Sequence, residues 1–392
     1  MSRTKILIIQ LLVVYILLFI SNAVITFMPY SDLDDREKNY MFFPAHVDMY
    51  PYIAKIFKQT KFAPLGSIPM VEKYLCNEGY GAIRFTPDRY GFRNNDNYWN
   101  RYNDVVLVGD SFTHGQCVEE NDSIAGILEN SFNVINLGIS GNQPLQYGAS
   151  AKTFVPFIKP KFLITIFCNN DFDEQDERYH YFNAYFKEKK HHYILEAGSK
   201  EYLTQDGKKF YELLEPAIQN YSKERHLHPN NDTERYSFLG FFTLRILAKK
   251  IHTITSDFFT SINEKNKNEN KEKINFKSNE KINPKPNEIP FSSKLAINTL
   301  VEVCSENDCN NIIVYIPAHQ IKAPDQKSIA YAKLLKKYAL SLGIPFIDMQ
   351  DFFINDRNDS MYAPHGPHLS KEGYRLVAEK IRLKINEIKK DL

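Results

Sequence analysis

The sequence predicts an α/β fold built on a five-stranded parallel sheet, and three observations predict it. Short apolar runs recur at 104–108, 133–137, 162–167, 312–316 and 345–348. Runs this short, with little polar alternation, read as strands buried on both faces of a parallel sheet. Segments of helical character lie between and after them, at 123–130, 141–156, 294–304, 328–342 and 371–388, the last amphipathic. Strand and helix in alternation argue a doubly wound sheet with helices on both faces.

Taken in order, the chain opens with Arg3 and Lys5, followed by 23 mostly apolar residues from Ile6 to Met28. As a helix that stretch is about 34 Å long, enough to cross a hydrocarbon core. The basic residues before it, and Asp32, Asp34 and Asp35 after it, favour an N-in orientation. Ser21-Asn22-Ala23 loosely resembles a cleavage site, but the apolar stretch runs on to Met28, longer than a usual signal-peptide core. The expectation is therefore a cytoplasmic tail at 1–5, a single-pass anchor at 6–28, and a body outside the cytoplasm.

Residues 29–103 are rich in Asp, Pro and Tyr and read as an extended lead-in, with a helix at 52–61. The catalytic body is expected at 104–392, interrupted by an insertion at 172–290. Within the insertion, Gln205-Asp206-Gly207 reads as a hairpin turn and 236–255 as a helix. Its end, 263–290, is a Lys/Asn/Glu tract carrying Pro284 and Pro286, a composition that stays disordered.

Composition narrows the function class. With 49 Lys+Arg against 47 Asp+Glu, the chain has no long-range field for gripping nucleic acid. Five cysteines in 392 residues are too few and too scattered for a disulfide scaffold. Cys304 and Cys309 are spaced to pair in an oxidising compartment, or to stand as two ordinary thiols. No Cys/His spacing matches a structural zinc site, and no metal or cofactor is expected.

Four short blocks carry the chemistry. Val108-Gly109-Asp110-Ser111-Phe112-Thr113 closes the first strand, and a serine on a strand-to-helix turn has an exposed hydroxyl. It is not the G-x-S-x-G elbow, because Thr113 stands where the last glycine would be. Asn136-Leu137-Gly138-Ile139-Ser140-Gly141-Asn142 follows the second strand, where a glycine lets a backbone N–H approach a substrate oxygen. Cys168-Asn169-Asn170-Asp171 follows the third strand, and His365-Gly366-Pro367-His368 precedes the closing helix. Ligands of open α/β sheets bind outside the strands' carboxyl ends, where the first three blocks would meet.

These blocks, in this order, resemble the SGNH (GDSL-like) hydrolases, a family of esterases, lipases, thioesterases and carbohydrate O-acetyl esterases. The resemblance covers about 104–171 and 294–392 and implies a flavodoxin-like three-layer α/β/α sandwich. It implies Ser111 as nucleophile, His368 as general base, and an oxyanion hole from the Ser111 and Gly141 amides with the Asn170 side chain. Two positions depart from the family pattern. Cys168 replaces a glycine, and His365 stands three residues before the base where the family carries Asp.

A carboxylate at that place would fix the imidazole tautomer and stabilise the imidazolium. Without it, a backbone carbonyl orients His368, or Asp351, Asp356 or Asp359 swings in, or the site is degenerate. The expected function is a serine esterase or O-acyltransferase acting on ester groups, O-acetyl above all, of an extracytoplasmic glycan. Alternatives are a lipid esterase or thioesterase, and an inactive glycan-binding module.

Overall fold

The computed structural model describes residues 10, 12–20, 65–67, 69–70, 72–81, 83–172, 202–215, 288–317, 326–353 and 360–391. The chain divides into two units, one of Met1–Asp34 with Asn220–Ile282 and one of Asp35–Gln219 with Asn283–Leu392. In the first unit only residues 10 and 12–20 are described, all helical, and Leu12, Val13, Val14, Tyr15, Ile16, Leu17, Leu18 and Ile20 are exposed. Among the described residues no helix is long and apolar enough to cross a membrane, and most of the expected 6–28 span lies outside them. The helices expected at 52–61 and 236–255, and the polar tract at 263–287, also lie outside the described residues.

The second unit is built on the expected sheet. Its strands are β3 (Val105–Gly109), β4 (Val134–Asn136), β5 (Phe162–Cys168), β6 (Asn310–Ile316) and β7 (Phe346–Asp348), in the order β4-β3-β5-β6-β7. Every pairing is parallel. The helices are α1 (Ser111–His114), α2 (Ile124–Leu128), α3 (Pro144–Ile158), α4 (Phe291–Asn307), α5 (Gln326–Ser341), α6 (Gln350–Phe353) and α7 (Lys371–Asp391).

Two faces of the sheet are covered. Val105, Leu107, Ile164, Ile166, Ile312 and Val314 join one core with Ile124 and Leu128 of α2 and Tyr374, Val377, Ile381 and Ile385 of α7. The pleat turns Val106, Val108, Leu163 and Ile313 to the other face, where α3 and α4 pack on each other and on the strands. Burying one such side chain stabilises by about 1.5–3 kcal/mol, so these continuous runs hold the sheet centre. The chain leaves β3 for β4 on one side and returns past β3 to β5 on the other. That reversal opens a crevice at the carboxyl ends of β3 and β5.

The lead-in departs from its expected extended form. It forms an antiparallel hairpin, β1 (Lys73–Cys76) and β2 (Ile83–Phe85), which shares no pairing with the main sheet. After the hairpin, Asp88 accepts hydrogen bonds from the Tyr90 and Phe92 amides, from Asn94 and from the Trp99 indole, all at 2.7–2.9 Å. The buried Arg93 guanidinium donates to the carbonyls of Gly115 at 2.6 Å and Val118 at 2.8 Å. Asn94 and Asn136 exchange hydrogen bonds at 2.8 and 3.0 Å. A polar lead-in therefore packs as a buried network, because Asp88, Asn94 and the Arg93 NH groups find partners.

Cysteine usage also differs from the expectation. Cys76–Cys117 and Cys304–Cys309 are both disulfides, and Cys168 is a buried free thiol. The first closes a loop with a sequence separation of 41, which in the chain-entropy account contributes about 4 kcal/mol. In the insertion, Gly207 makes the expected turn at φ +65°, but a helix over 208–215 follows, not a returning strand. Asp206 accepts from the Lys208 amide at 3.0 Å, as a residue starting a helix does.

Candidate active site

The nucleophile turn follows from local chemistry. At the end of β3, a Cβ on Gly109 would lie 1.9 Å from Thr113 Oγ1, so only glycine lets the chain fold back so closely. Asp110 caps α1 by accepting the Phe112 amide at 3.0 Å. Ser111 opens α1 at the crevice, with 8% of its surface exposed.

His368 reaches Ser111 from the far end of the chain. Residues 361–370 fold back on themselves, with the Ala363 amide donating to the His368 carbonyl and Tyr362 bridging Leu369. Ser370 then starts α7 by accepting the Gly373 amide at 3.0 Å. The result places His368 Nε2 3.0 Å from Ser111 Oγ.

The carboxylate that meets the other ring nitrogen comes from the lead-in. Glu78, in the β1–β2 turn and 4% exposed, puts Oε1 2.7 Å from His368 Nδ1. Its Oε2 accepts the His368 backbone N–H at 3.2 Å. Asn77 Oδ1 shapes this turn by accepting the Gly79 and Gly81 amides at 3.0 and 3.1 Å. Gly366 lies directly against the carboxylate, and a Cβ there would sit 1.8 Å from Glu78 Cδ.

The place given to Asp351, Asp356 or Asp359 is thus held by Glu78. Asp351 is exposed on α6, while Asp356 and Asp359 lie outside the described residues. His365 is likewise not the orienting group; it is exposed, with its ring edge beside Gly79. A faint sequence signal existed. Pairing Cys76 with Cys117 would have brought residue 78 to the neighbourhood of Ser111.

The remaining block residues have other ties. Asn170 lies on the 3₁₀ turn Asn169–Phe172 after β5, its Oδ1 2.6 Å from the Cys168 thiol. Cys168 Sγ also approaches Asp110 Oδ2 at 3.1 Å, which links Asn170 to the nucleophile turn. Gly141 is exposed on the loop after β4 at φ +83°. In the same loop the Gly138 amide is committed to Asn136 Oδ1 at 2.9 Å.

Behind Ser111 lies a buried acidic pair. Asp110 Oδ2 is 3.2 Å from Ser111 Oγ, and Asp171 accepts from the Cys168 amide at 2.7 Å and the Tyr147 hydroxyl at 2.5 Å. Burial pushes both carboxyl groups up, and the charge of Asp110 pushes Asp171 further. Burial pushes the Cys168 thiol up as well, which keeps it neutral in this network.

Glu78, Cys117 and His368 also stand close enough to suggest a metal donor set, with donor atoms within 4.8 Å of one another. Cys117 sulfur is already bonded to Cys76, so these residues do not form one as they stand.

No family model and no curated protein matches this sequence. Among solved structures, the chain is similar to a protein described as lipolytic and of the G-D-S-L family from Desulfitobacterium hafniense. That pair shares 14% identity over 70% of this chain and 95% of the other, with a TM-score of 0.35. A protein described as an acylhydrolase from Bacteroides fragilis shares 16% identity over 72% of this chain and 86% of the other, with a TM-score of 0.36. TesA shares 9% over 71% and 94%, with a TM-score of 0.35.

Proposed function

We propose that this chain is a serine esterase or O-acyltransferase in which Ser111 attacks, His368 is the base and Glu78 orients it. One observation carries the reading: an unbroken relay from Ser111 Oγ to His368 Nε2 at 3.0 Å, and from Nδ1 to Glu78 Oε1 at 2.7 Å. Glu78 holds the proton on Nδ1, so Nε2 presents a lone pair to the serine hydrogen. As Ser111 Oγ bonds to the ester carbonyl carbon, its proton passes to Nε2 and the imidazolium faces a buried carboxylate.

The developing oxyanion is met by the Ser111 and Gly141 amides and by Asn170, whose Nδ2 is the donating end once Cys168 holds Oδ1. His368 then returns the proton to the leaving alcohol. Water or a sugar hydroxyl, deprotonated by the same base, releases the acyl group, giving hydrolysis or transfer. The reading of an inactive module rested on a missing acid, and Glu78 removes that ground.

The substrate we favour is an O-acylated, chiefly O-acetylated, glycan outside the cytoplasm, met by a domain tethered through 6–28. Two disulfides are consistent with an oxidising compartment. A fluorophosphonate applied to the full chain tests the activated serine without the substrate. Labelling of wild type and none of Ser111→Ala is expected; an unlabelled, folded wild type would overturn the proposal.

A further inference from the structure

We infer that the Cys76–Cys117 disulfide is a positioning device for Glu78, so that the triad is complete only in the oxidised protein; this rests on the proposed roles of Ser111, His368 and Glu78. Cys76 ends β1, two residues before Glu78, and Cys117 lies six residues after Ser111. The bond therefore joins the segment that carries the acid to the segment that carries the nucleophile. Its Cys117 sulfur lies within 4.8 Å of both a Glu78 carboxylate oxygen and a His368 ring nitrogen.

The hairpin is small. Its strands are four and three residues long and share no pairing with the five-stranded sheet. An isolated two-stranded hairpin is marginal in water. Its buried cluster is Leu75, Cys76, Ile83 and Cys117 with Phe85 beside it, so the disulfide supplies half of that small core. Besides the bonds of Glu78 to His368, the polar ties on the β1 side run from Gln116 Nε2 to the Leu75 carbonyl at 3.5 Å and from the His365 amide to the Glu78 carbonyl at 3.3 Å. Beyond β2 the chain is fastened by Arg93 and Asn94, whereas the Glu78 turn is held by His368, by Tyr80 packed on the main core, and by the disulfide beside it.

Cys117 adopts φ +63°, a backbone region that L-residues other than glycine seldom occupy. A cysteine held there by its side-chain bond fits a joint that fixes the turn after α1. With a dithiol as reductant, the S–S bond breaks and two cysteine thiols form. The dithiol closes to a cyclic disulfide, so two electrons and two protons pass to the protein. Released from Cys117, the Glu78 turn leaves the ring, and the site falls back to a Ser111–His368 dyad.

The test uses the full chain as Cys304→Ser/Cys309→Ser, which leaves one disulfide to reduce. Fluorophosphonate labelling rates are compared for this protein and its Glu78→Gln derivative, before and after dithiothreitol, with circular dichroism to verify the fold. Reduction should slow labelling of the Glu78 protein about a hundredfold or more, as loss of an orienting acid does. The Glu78→Gln protein should start slow and change less than about twofold on reduction, since its acid is already gone. A low-field proton resonance from the His368 Nδ1–H···Glu78 bond should be present when oxidised and lost when reduced.

Equal rates before and after reduction would overturn the inference, as would an equal slowing of the Glu78→Gln protein. If the oxidised protein is not labelled at all, the proposed function fails. The Nδ1 resonance still decides the positioning role: its persistence after reduction would sink it.

Discussion

Both carboxylate oxygens of Glu78 are taken by His368, one by the ring at 2.7 Å and one by the backbone amide at 3.2 Å, across 290 residues of sequence. A glutamate gripped twice by one residue fixes the ring's rotation as well as its tautomer. That double grip yields the first two expectations below.

Glu78→Gln should leave the fold intact and lower kcat by about four orders of magnitude, because the amide favours the wrong imidazole tautomer. Asp351→Asn, at an exposed position, should change kcat less than twofold. Steady-state kinetics on a chromogenic acetyl ester separate the two. A large loss at Asp351 with none at Glu78 would reassign the acid.

Gly366→Ala places a methyl group where the Glu78 carboxylate now sits, 1.8 Å from its Cδ. The carboxylate or the 364–368 loop must move, so kcat should fall at least tenfold with KM little changed, as expected when a base is misplaced but binding is not. His365→Asp should give no gain, because the orienting place is filled. Parallel kinetics of the two variants check both statements.

Arg93→Met should destabilise the domain by about 2–4 kcal/mol. The guanidinium is buried and donates to the carbonyls of Gly115 and Val118, which would lose their partners. Urea denaturation of the variant measures this, and a change under about 0.5 kcal/mol would refute the role.

Asp88 gives a pH signature of stability. Burial raises its carboxyl to about 6, against a usual 3.8, despite four hydrogen-bond donors. Between those values the folded chain keeps a proton that the unfolded chain has lost. The group's contribution to stability therefore falls as pH rises from about 4 to about 6 and is level above that. Asp88→Asn should remove this fall from a plot of Tm against pH. A plot unchanged by the substitution would show that Asp88 does not titrate in that window.

Much of the fold was legible because it is written in local pattern. The runs at 105–108 and 162–167 are apolar on both faces but for Thr165, so they read as central, doubly covered strands, and they are. Gly109-Asp110-Ser111 marked a strand-to-helix turn, since each residue type suits its place within a few residues of chain. The Asp88–Trp99 and Arg93–Val118 ties were not legible, because a buried polar network looks like a polar linker until its partners are assembled.

The sequence by itself determined which strands of the five-stranded sheet form, and it singled out the serine and histidine now seen at hydrogen-bond distance. Only the tertiary structure brought a carboxylate to His368. Strand and helix signals depend on periods of two and 3.6 residues, which a single chain displays openly. A glutamate brought to a histidine 290 residues away depends on how a small hairpin docks, and that is fixed by a disulfide and a glycine without leaving any periodic trace.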